Sequence, residues 1–549
     1  MTSITGYSAN PRRRQGVRQI ARWRGLGAMA AAVLLTLGGC ATPGGTFGAA
    51  GGYEKGFFGA VAADEPQATL AAREILADGG SAVDAMVAAY FTLAVTLPSA
   101  ASLGSGGACL IWDKNRKIVD AIDFSHASSG PRAGVAVPMS PRGMLALHAK
   151  YGFNQWTRVI GRAESLARVG YPVSRALARV LAAAPAVLAD PHLAAIFADK
   201  SGNPVAEGAN LRQIALAATL SRIRRNPIRF LRGPFAQRLA RDYQSVGVPL
   251  TAADLNAGVP SFVKPLEVVR GNQQAYFPPT PGGLVTAQLW AMIFREKGWE
   301  NSDDATRAGM LAAASKRAYA DAGRWIHAPG PIAGDVQALV SEQRIQSLWK
   351  SYRAGRVTPV SVSGGGTPGP EPVDQGSTTV ITADAYGQAV ACGFTMNGVM
   401  GTGRLAPETG IVIAAPPDPA GRGLPLLPIM ALRLDTQNQL EYLGAGSGSA
   451  AVPLTLTAGA ARMIFERGSA ESILAAPRFY HPANPDRVVV ETTGGAEIGE
   501  RLRKSGYAVT GAAALGRANL LVCPAGFNGV RSQCAVRTDR RGFGLAQQN

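Results

Sequence analysis

The chain has 549 residues, 47% hydrophobic and 17% charged, enough apolar material for one large core or two and too much for a disordered chain. Its formal charge of +18 falls to +12 once Arg12, Arg13, Arg14, Arg18, Arg22 and Arg24 of the first 40 residues are set aside. The remaining positive charge is densest in "RIRRNPIRFLRG" (Arg222 to Gly233) and "TDRRG" (Thr538 to Gly542), without a nucleic-acid motif or aromatic interleaving. That excludes nucleic acid as the expected partner and leaves solvated basic faces, anionic envelope surfaces or acidic substrates.

In chain order, the first 40 residues read as a targeting segment. The six arginines precede the apolar run "GLGAMAAAVLLTL", too short to span a bilayer comfortably, and the run ends in "LGGC" at Cys40. A Cys after Leu-Gly-Gly resembles a lipobox, which implies lipidation of Cys40, and Ala41 in place of Asp favours the outer membrane, facing the periplasm. A cleaved signal peptide without lipid, or an uncleaved anchor, would share the same basic and apolar pattern. Residues 41–60, rich in Gly and Ala, read as a tether.

From Asp64 the pattern becomes regular. "QATLAAREILADGG" predicts a helix stopped by Gly79 and Gly80. "SAVDAMVAAYFTLAVTLP" predicts a second helix, with Ser81 as N-cap and Asp84 three residues on, ending before Pro98. "SLGSGGACLIWD" is a Gly-rich turn feeding a strand, and "KIVDAIDFS" is the next strand. Residues 141–345 read as mostly helical, broken at "VVRGNQQAYFPPTPGG" by a strand and a Pro/Gly turn. Residues 354–376 form a loose linker. The region after it is β-rich, with helices near 453–467 and 494–506. Helices beside hairpins on both sides of one linker predict a single interrupted α+β domain.

Cysteine usage agrees with export. Cys523 and Cys534 flank "PAGFNGVRSQ" and are expected to form a disulfide across a hairpin, whereas Cys109 and Cys392 lie in apolar runs and read as simply buried. The five histidines, at 126, 148, 192, 327 and 481, have no metal-ligand spacing, so no metal site and no cofactor is expected.

The segment after the linker, "DQGSTTVITADAYGQAVACGFTMN", is the richest in chemistry. Asp384 and Gly387 suit a tight turn, and if Gly387 is left-handed, Asp384 faces Gln388. Counting seven residues out from each brings Ser377 opposite Thr395, with Cβ atoms about 5 Å apart. A hydroxyl residue following a Gly-ending linker has one specific chemical use. Cleavage between Gly376 and Ser377 would give Ser377 a free α-amine, with a pKa of roughly 7.7–8.0, to serve as base for its own hydroxyl. The plain alternative is an ordinary cross-strand hydroxyl pair.

The chain at large resembles the gamma-glutamyltransferase family, whose members cut themselves into a large and a small subunit. The likeness rests on "ATLAAREILADGGSAVDAMVAAYFTLAVTLPSAASLGSGGACLIWD", "SPRGMLALHAKYGFNQW", "RAESLARVGYPVS", "LTAADLNAGVPSFVKPLEVVRGNQQAYFPPTPGG", "KRAYADAGRW" and "TDRRGFGLA", in order. It implies a four-layer αββα sandwich of the N-terminal-nucleophile hydrolase type, a large-subunit region over 61–353 and a small-subunit region over 377–549 that stay associated. Anchored on Asp384 and Gly387, the resemblance implies Ser377 as nucleophile, with Thr378 as the fallback if the register slips. It implies Thr395 as the nucleophile's support and Asn397 as a substrate contact. It also implies an oxyanion hole of backbone N–H groups at Ser447 and Gly448 in "YLGAGSGSA". That Gly-rich turn lacks the strand–helix fingerprint of a phosphate loop.

Substrate recognition departs from the family. Its carboxylate-gripping Arg is Ser125 here, followed by His126 as a weak substitute. Its amine-holding Gln and Asp fall on Pro416 and Pro419, with Asp418 adjacent. Its Ser-Ser pair falls on Leu427 and Pro428. Losing charge-pairing groups at three places is incompatible with intact recognition of a zwitterion. The expectation is therefore a lipid-anchored, self-cleaving amidohydrolase or acyltransferase acting on a small-molecule or peptide-like amide. An inactive envelope binding protein and a glutathione hydrolase with a rebuilt pocket are the other two readings.

Overall fold

A computed structural model describes residues 59–126, 134–270, 273–296, 298–325, 335–361, 376–417, 429–434, 439–529 and 532–548. Cys40, Asp418, Pro419, Leu427, Pro428 and most of the 354–376 linker lie outside the described residues.

Two sheets are stacked on each other. The first has seven strands in the order Leu545–Gln548, Gly59–Ala63, Ser377–Asp384, Gln388–Thr395, Gly106–Asp113, Ile118–Phe124 and Ser261–Val263. The second has six: Ala535–Thr538, Arg517–Phe527, Leu440–Ser447, Ile429–Leu434, Gln273–Phe277 and Leu266–Arg270. Each sheet mixes strands from before and after the linker. The strand Gly59–Ala63 starts within the stretch read as a tether, and the short strand at 545–548 carries no length or alternation by which sequence would reveal it.

Alternation along each strand defines the layers. Ile381, Ala383, Ala389, Ala391, Leu110 and Trp112 point between the sheets, where they meet Leu443, Leu521 and Phe527. Their neighbours Val380, Val390, Phe394 and Ile111 point the other way, into helices that include Pro66–Ala77 and Ala82–Thr96. The outer face of the second sheet is covered in the same way by Pro281–Ile293, Asp304–Trp325 and Val452–Glu466. The result is the expected αββα sandwich.

The start of the helix Ala82–Thr96 follows its sequence. The Ser81 hydroxyl accepts from the Asp84 amide at 3.1 Å, and Asp84 accepts from the Ser81 amide at 3.0 Å. Its whole length is buried, which its continuous run of small and apolar residues permits.

The cysteines require one correction. Cys523 and Cys534 are disulfide-bonded, and so are Cys109 and Cys392, which sequence reading took as merely buried. Cys109 and Cys392 are direct partners in the pairing of Gly106–Asp113 with Gln388–Thr395, with Cα atoms 4.1 Å apart. Neighbouring strands created this pairing, and a separation of 283 residues hid it.

Candidate active site

The hairpin Ser377–Asp384 to Gln388–Thr395 has the register that the turn count predicts, and Ser377 is the direct partner of Thr395. Gly387 adopts φ 95°, and the Asp384 carboxylate accepts from the amides of Tyr386 and Gln388 at 2.9 Å each. A third amide, that of Ala82 at 2.8 Å, ties the turn to the first residue of the long buried helix. The turn therefore pins the register from its closed end.

Strand parity then decides which hydroxyl faces which layer. Ser377 and Thr379 share the parity of Ile381 and Ala383 and point between the sheets. There the Gly448 amide donates to Ser377 Oγ at 3.3 Å. Gly448, at φ 86°, follows the strand Leu440–Ser447 and precedes the helix Val452–Glu466, so its N–H comes from the opposing sheet. Thr378 has the opposite parity, and its hydroxyl donates to Asp64 at 3.0 Å. Only the Ser377 hydroxyl of this pair meets the Gly448 amide.

Asp64, Arg517 and Asn519 surround the start of this strand, and sequence reading assigned a site role to none of them. One Asp64 oxygen accepts from the Thr379 amide at 3.1 Å, from Arg517 Nε at 3.0 Å and from the Ser447 hydroxyl at 3.3 Å. Its other oxygen accepts from Asn519 Nδ2 at 2.9 Å. Arg517 reaches on to donate from Nη2 to the Ser377 carbonyl at 2.7 Å, and Asn519 donates to Thr379 Oγ1 at 2.9 Å. A buried carboxylate just past the strand Gly59–Ala63 thus gathers the Ser377 strand together with two strands of the other sheet, Leu440–Ser447 and Arg517–Phe527. Separations of several hundred residues left no local signal of it.

Across the hairpin, Thr395 Oγ1 accepts from the Asn397 amide at 2.9 Å, which supports Asn397 at φ 56°. Asn397 Nδ2 donates to Ala415 O and to His126 Nδ1, both at 2.8 Å. His126 Nε2 lies 3.2 Å from Gly104 O, which fixes the neutral tautomer with its proton on Nε2. Burial, opposed by these hydrogen bonds, lowers the His126 pKa to about 4. His126 is therefore uncharged near neutrality and offers no cation to a carboxylate, contrary to the substitute role weighed for it. Ser125 is half-buried, and its amide donates to Asp123 Oδ1 at 2.7 Å. Pro416 follows Ala415 and has no side-chain acceptor to hold an α-amine.

Comparison with known proteins gives the family and the fold. The profile of the gamma-glutamyltranspeptidase family matches residues 68–415, and the chain belongs to that family. It is 31% identical over 391 residues to the glutathione hydrolase proenzyme of Escherichia coli strain K12, covering 65% of each chain. It is 30% identical over 381 residues to the oxamate amidohydrolase proenzyme of Klebsiella pneumoniae, covering 64% of this chain and 70% of that one. The matched stretch spans just under two thirds of the Escherichia coli protein. In fold it is similar to a cephalosporin acylase from Bacillus halodurans, with a TM-score of 0.75, 22% identity, and coverage of 90% and 96% of the two chains.

Proposed function

We propose that this chain is a self-cleaving amidohydrolase or acyltransferase whose nucleophile is Ser377 and whose pocket has moved away from gamma-glutamyl recognition. The observation that carries the reading is that Ser377, 1% exposed and the strand partner of Thr395, presents its hydroxyl to the Gly448 amide.

Maturation follows from that arrangement. Ser377 Oγ attacks the Gly376 carbonyl carbon, the C–N bond to Ser377 breaks, and the hydroxyl proton ends on the released α-amine. Water then hydrolyses the ester, leaving a Gly376 carboxylate and a free Ser377 hydroxyl. In turnover the α-amine takes the hydroxyl proton as Oγ attacks a substrate amide. The Gly448 N–H, with the neighbouring Ser447 amide, stabilises the developing oxyanion, and the leaving amine departs with the proton. Water or an acceptor amine releases the acyl group.

The substrate reading rests on Ser125, the neutral His126 and Pro416, which provide no fixed positive charge for an α-carboxylate. A relative whose name is oxamate amidohydrolase is in keeping with an amide other than a gamma-glutamyl one. The lipobox-like "LGGC" supports lipidation at Cys40 and an outer-membrane location facing the periplasm. Incorporation of a clickable fatty acid in wild type but not in Cys40→Ser would check it.

The deciding test is the reduced intact mass of wild type and Ser377→Ala. Two chains meeting at Gly376–Ser377 in the wild type and one chain in the variant are expected; an uncut wild type would overturn the mechanism. With the cleaved protein, acyl anilides lacking an α-amino acid end should be hydrolysed faster than a gamma-glutamyl anilide. The reverse order would overturn the substrate reading and leave the nucleophile standing.

A further inference from the structure

Far along the chain from Ser377, the helix Ile214–Arg225, the helix Gly233–Ser245 and their connection flank an open cavity of about 240 Å³. Four arginines line it: Arg222, Arg229, Arg232 and Arg238. No carboxylate lines it, and none of the four arginines is ion-paired among the described residues. Neighbouring basic groups are otherwise engaged. Arg224 is paired with Glu164 at 2.6 Å, and Arg142 is held by the carbonyls of Leu255 and Leu231.

Helix electrostatics account for only one of the four. Arg222 lies in the last turn of its helix, where a cation is favourable. Arg232 is the N-cap of the next helix, makes no capping bond and sits at the positive end of the dipole, while Arg238, in mid-helix, gains nothing from it. Cations gathered there repel both the helix end and one another, and an anion bound between them removes both penalties. The floor, by contrast, is apolar: Ile223 and Phe230 are buried, and the rings of Phe230 and Phe235 lie 5.1 Å apart.

We propose that this cavity binds a phosphorylated amphiphile of net negative charge, with its phosphate on the arginines and its apolar part along Phe230 and Phe235. Guanidinium forks match phosphate oxygens in pairs, and the volume suits a headgroup rather than a whole lipid. A soluble phosphate ester has the same polar chemistry but makes no use of the apolar surface.

The test is calorimetry of the purified full-length mature protein with monomeric dihexanoyl-phosphatidylglycerol, dihexanoyl-phosphatidylcholine and glycerol phosphate. Phosphatidylglycerol should bind about tenfold tighter than phosphatidylcholine and lose affinity as salt is raised. The triple variant Arg229→Gln/Arg232→Gln/Arg238→Gln should lose that binding at an unchanged melting temperature, while Arg241→Gln, on the same helix outside the cavity, retains it. Glycerol phosphate binding as tightly as phosphatidylglycerol would overturn the amphiphile assignment in favour of a soluble phosphate. Equal affinity for the two lipids, undetectable binding, or a triple variant that binds like the wild type would overturn the site.

Discussion

The disulfide between Cys109 and Cys392 joins a strand that precedes the proposed cleavage point to one that follows it. Both residues are wholly buried on the helix-facing side of the first sheet. Hydrolysis at Gly376–Ser377 therefore leaves the two fragments covalently tied as well as co-folded. The oxidised, cleaved protein should run as one species on a denaturing gel without reductant and as two with it. Two bands without reductant would show that the bond is absent.

Asp64 is the acceptor on which the start of the Ser377 strand depends. In Asp64→Asn, Arg517 loses its charge partner, and the Thr379 amide and Thr378 hydroxyl face an amide group. Removing one partner of a buried pair costs about 3–5 kcal/mol, and the 18% exposure of Arg517 puts the expected loss near the low end. Processing should slow with the loss of stability, measurable by urea unfolding and by the half-time of cleavage. Arg517→Lys, which keeps a cation beside Asp64, should lose less stability than Asp64→Asn but should lose the contact to the Ser377 carbonyl. Wild-type cleavage in Asp64→Asn would remove Asp64 from the site.

Gly376 has φ 62°, and a Cβ there would lie 2.0 Å from the Gly398 carbonyl oxygen. No side chain fits without moving the loop that carries Asn397. Gly376→Ala is therefore expected to fold with its carbonyl displaced from Ser377 and to remain uncut over hours in which wild type is fully processed. Equal rates in the two proteins would show that the backbone accommodates the change.

His126 makes the protein sensitive to acid. Burial depresses its pKa from 6.5 to about 4, so between those values the unfolded chain binds the extra proton and the folded one does not. The stability is present in full above pH 6.5 and is lost as pH falls toward 4, by about 3 kcal/mol at 1.36 kcal/mol per unit. A protonated ring would also turn an N–H toward the donating Asn397 amide. His126→Gln, which keeps an acceptor and a donor, should lose about 3 kcal/mol less than wild type between pH 7 and pH 4. His481, depressed to about 4 by burial, contributes to both proteins alike. Parallel pH profiles would exclude the His126 contribution.

Thr395 fixes the Asn397 loop through one hydrogen bond. Thr395→Val should cost about 1–2 kcal/mol, roughly tenfold in cleavage rate, and Thr395→Ser should restore it. A Val variant as fast as the Ser variant would make the pair a packing contact only.

What could be read without coordinates was local. The capping box at Ser81 and Asp84, the stop at Gly79 and Gly80, and the Ser377–Thr395 register all depend on residues a few positions apart or on a tight turn that counts them off. Family landmarks added the sandwich. The identity of the hydroxyl that meets the Gly448 amide needed the opposing sheet, since parity only says that Ser377 and Thr378 face opposite ways. Asp64, Arg517 and Asn519, the Cys109–Cys392 bond and the arginine cavity were invisible in the same manner. Each is made by segments that become neighbours only when strands from both ends of the chain pair and the sheets stack. Turn and cap geometry is set by a few backbone dihedrals. Contacts between distant segments are set by burial of the whole core, and no short stretch of sequence contains that information.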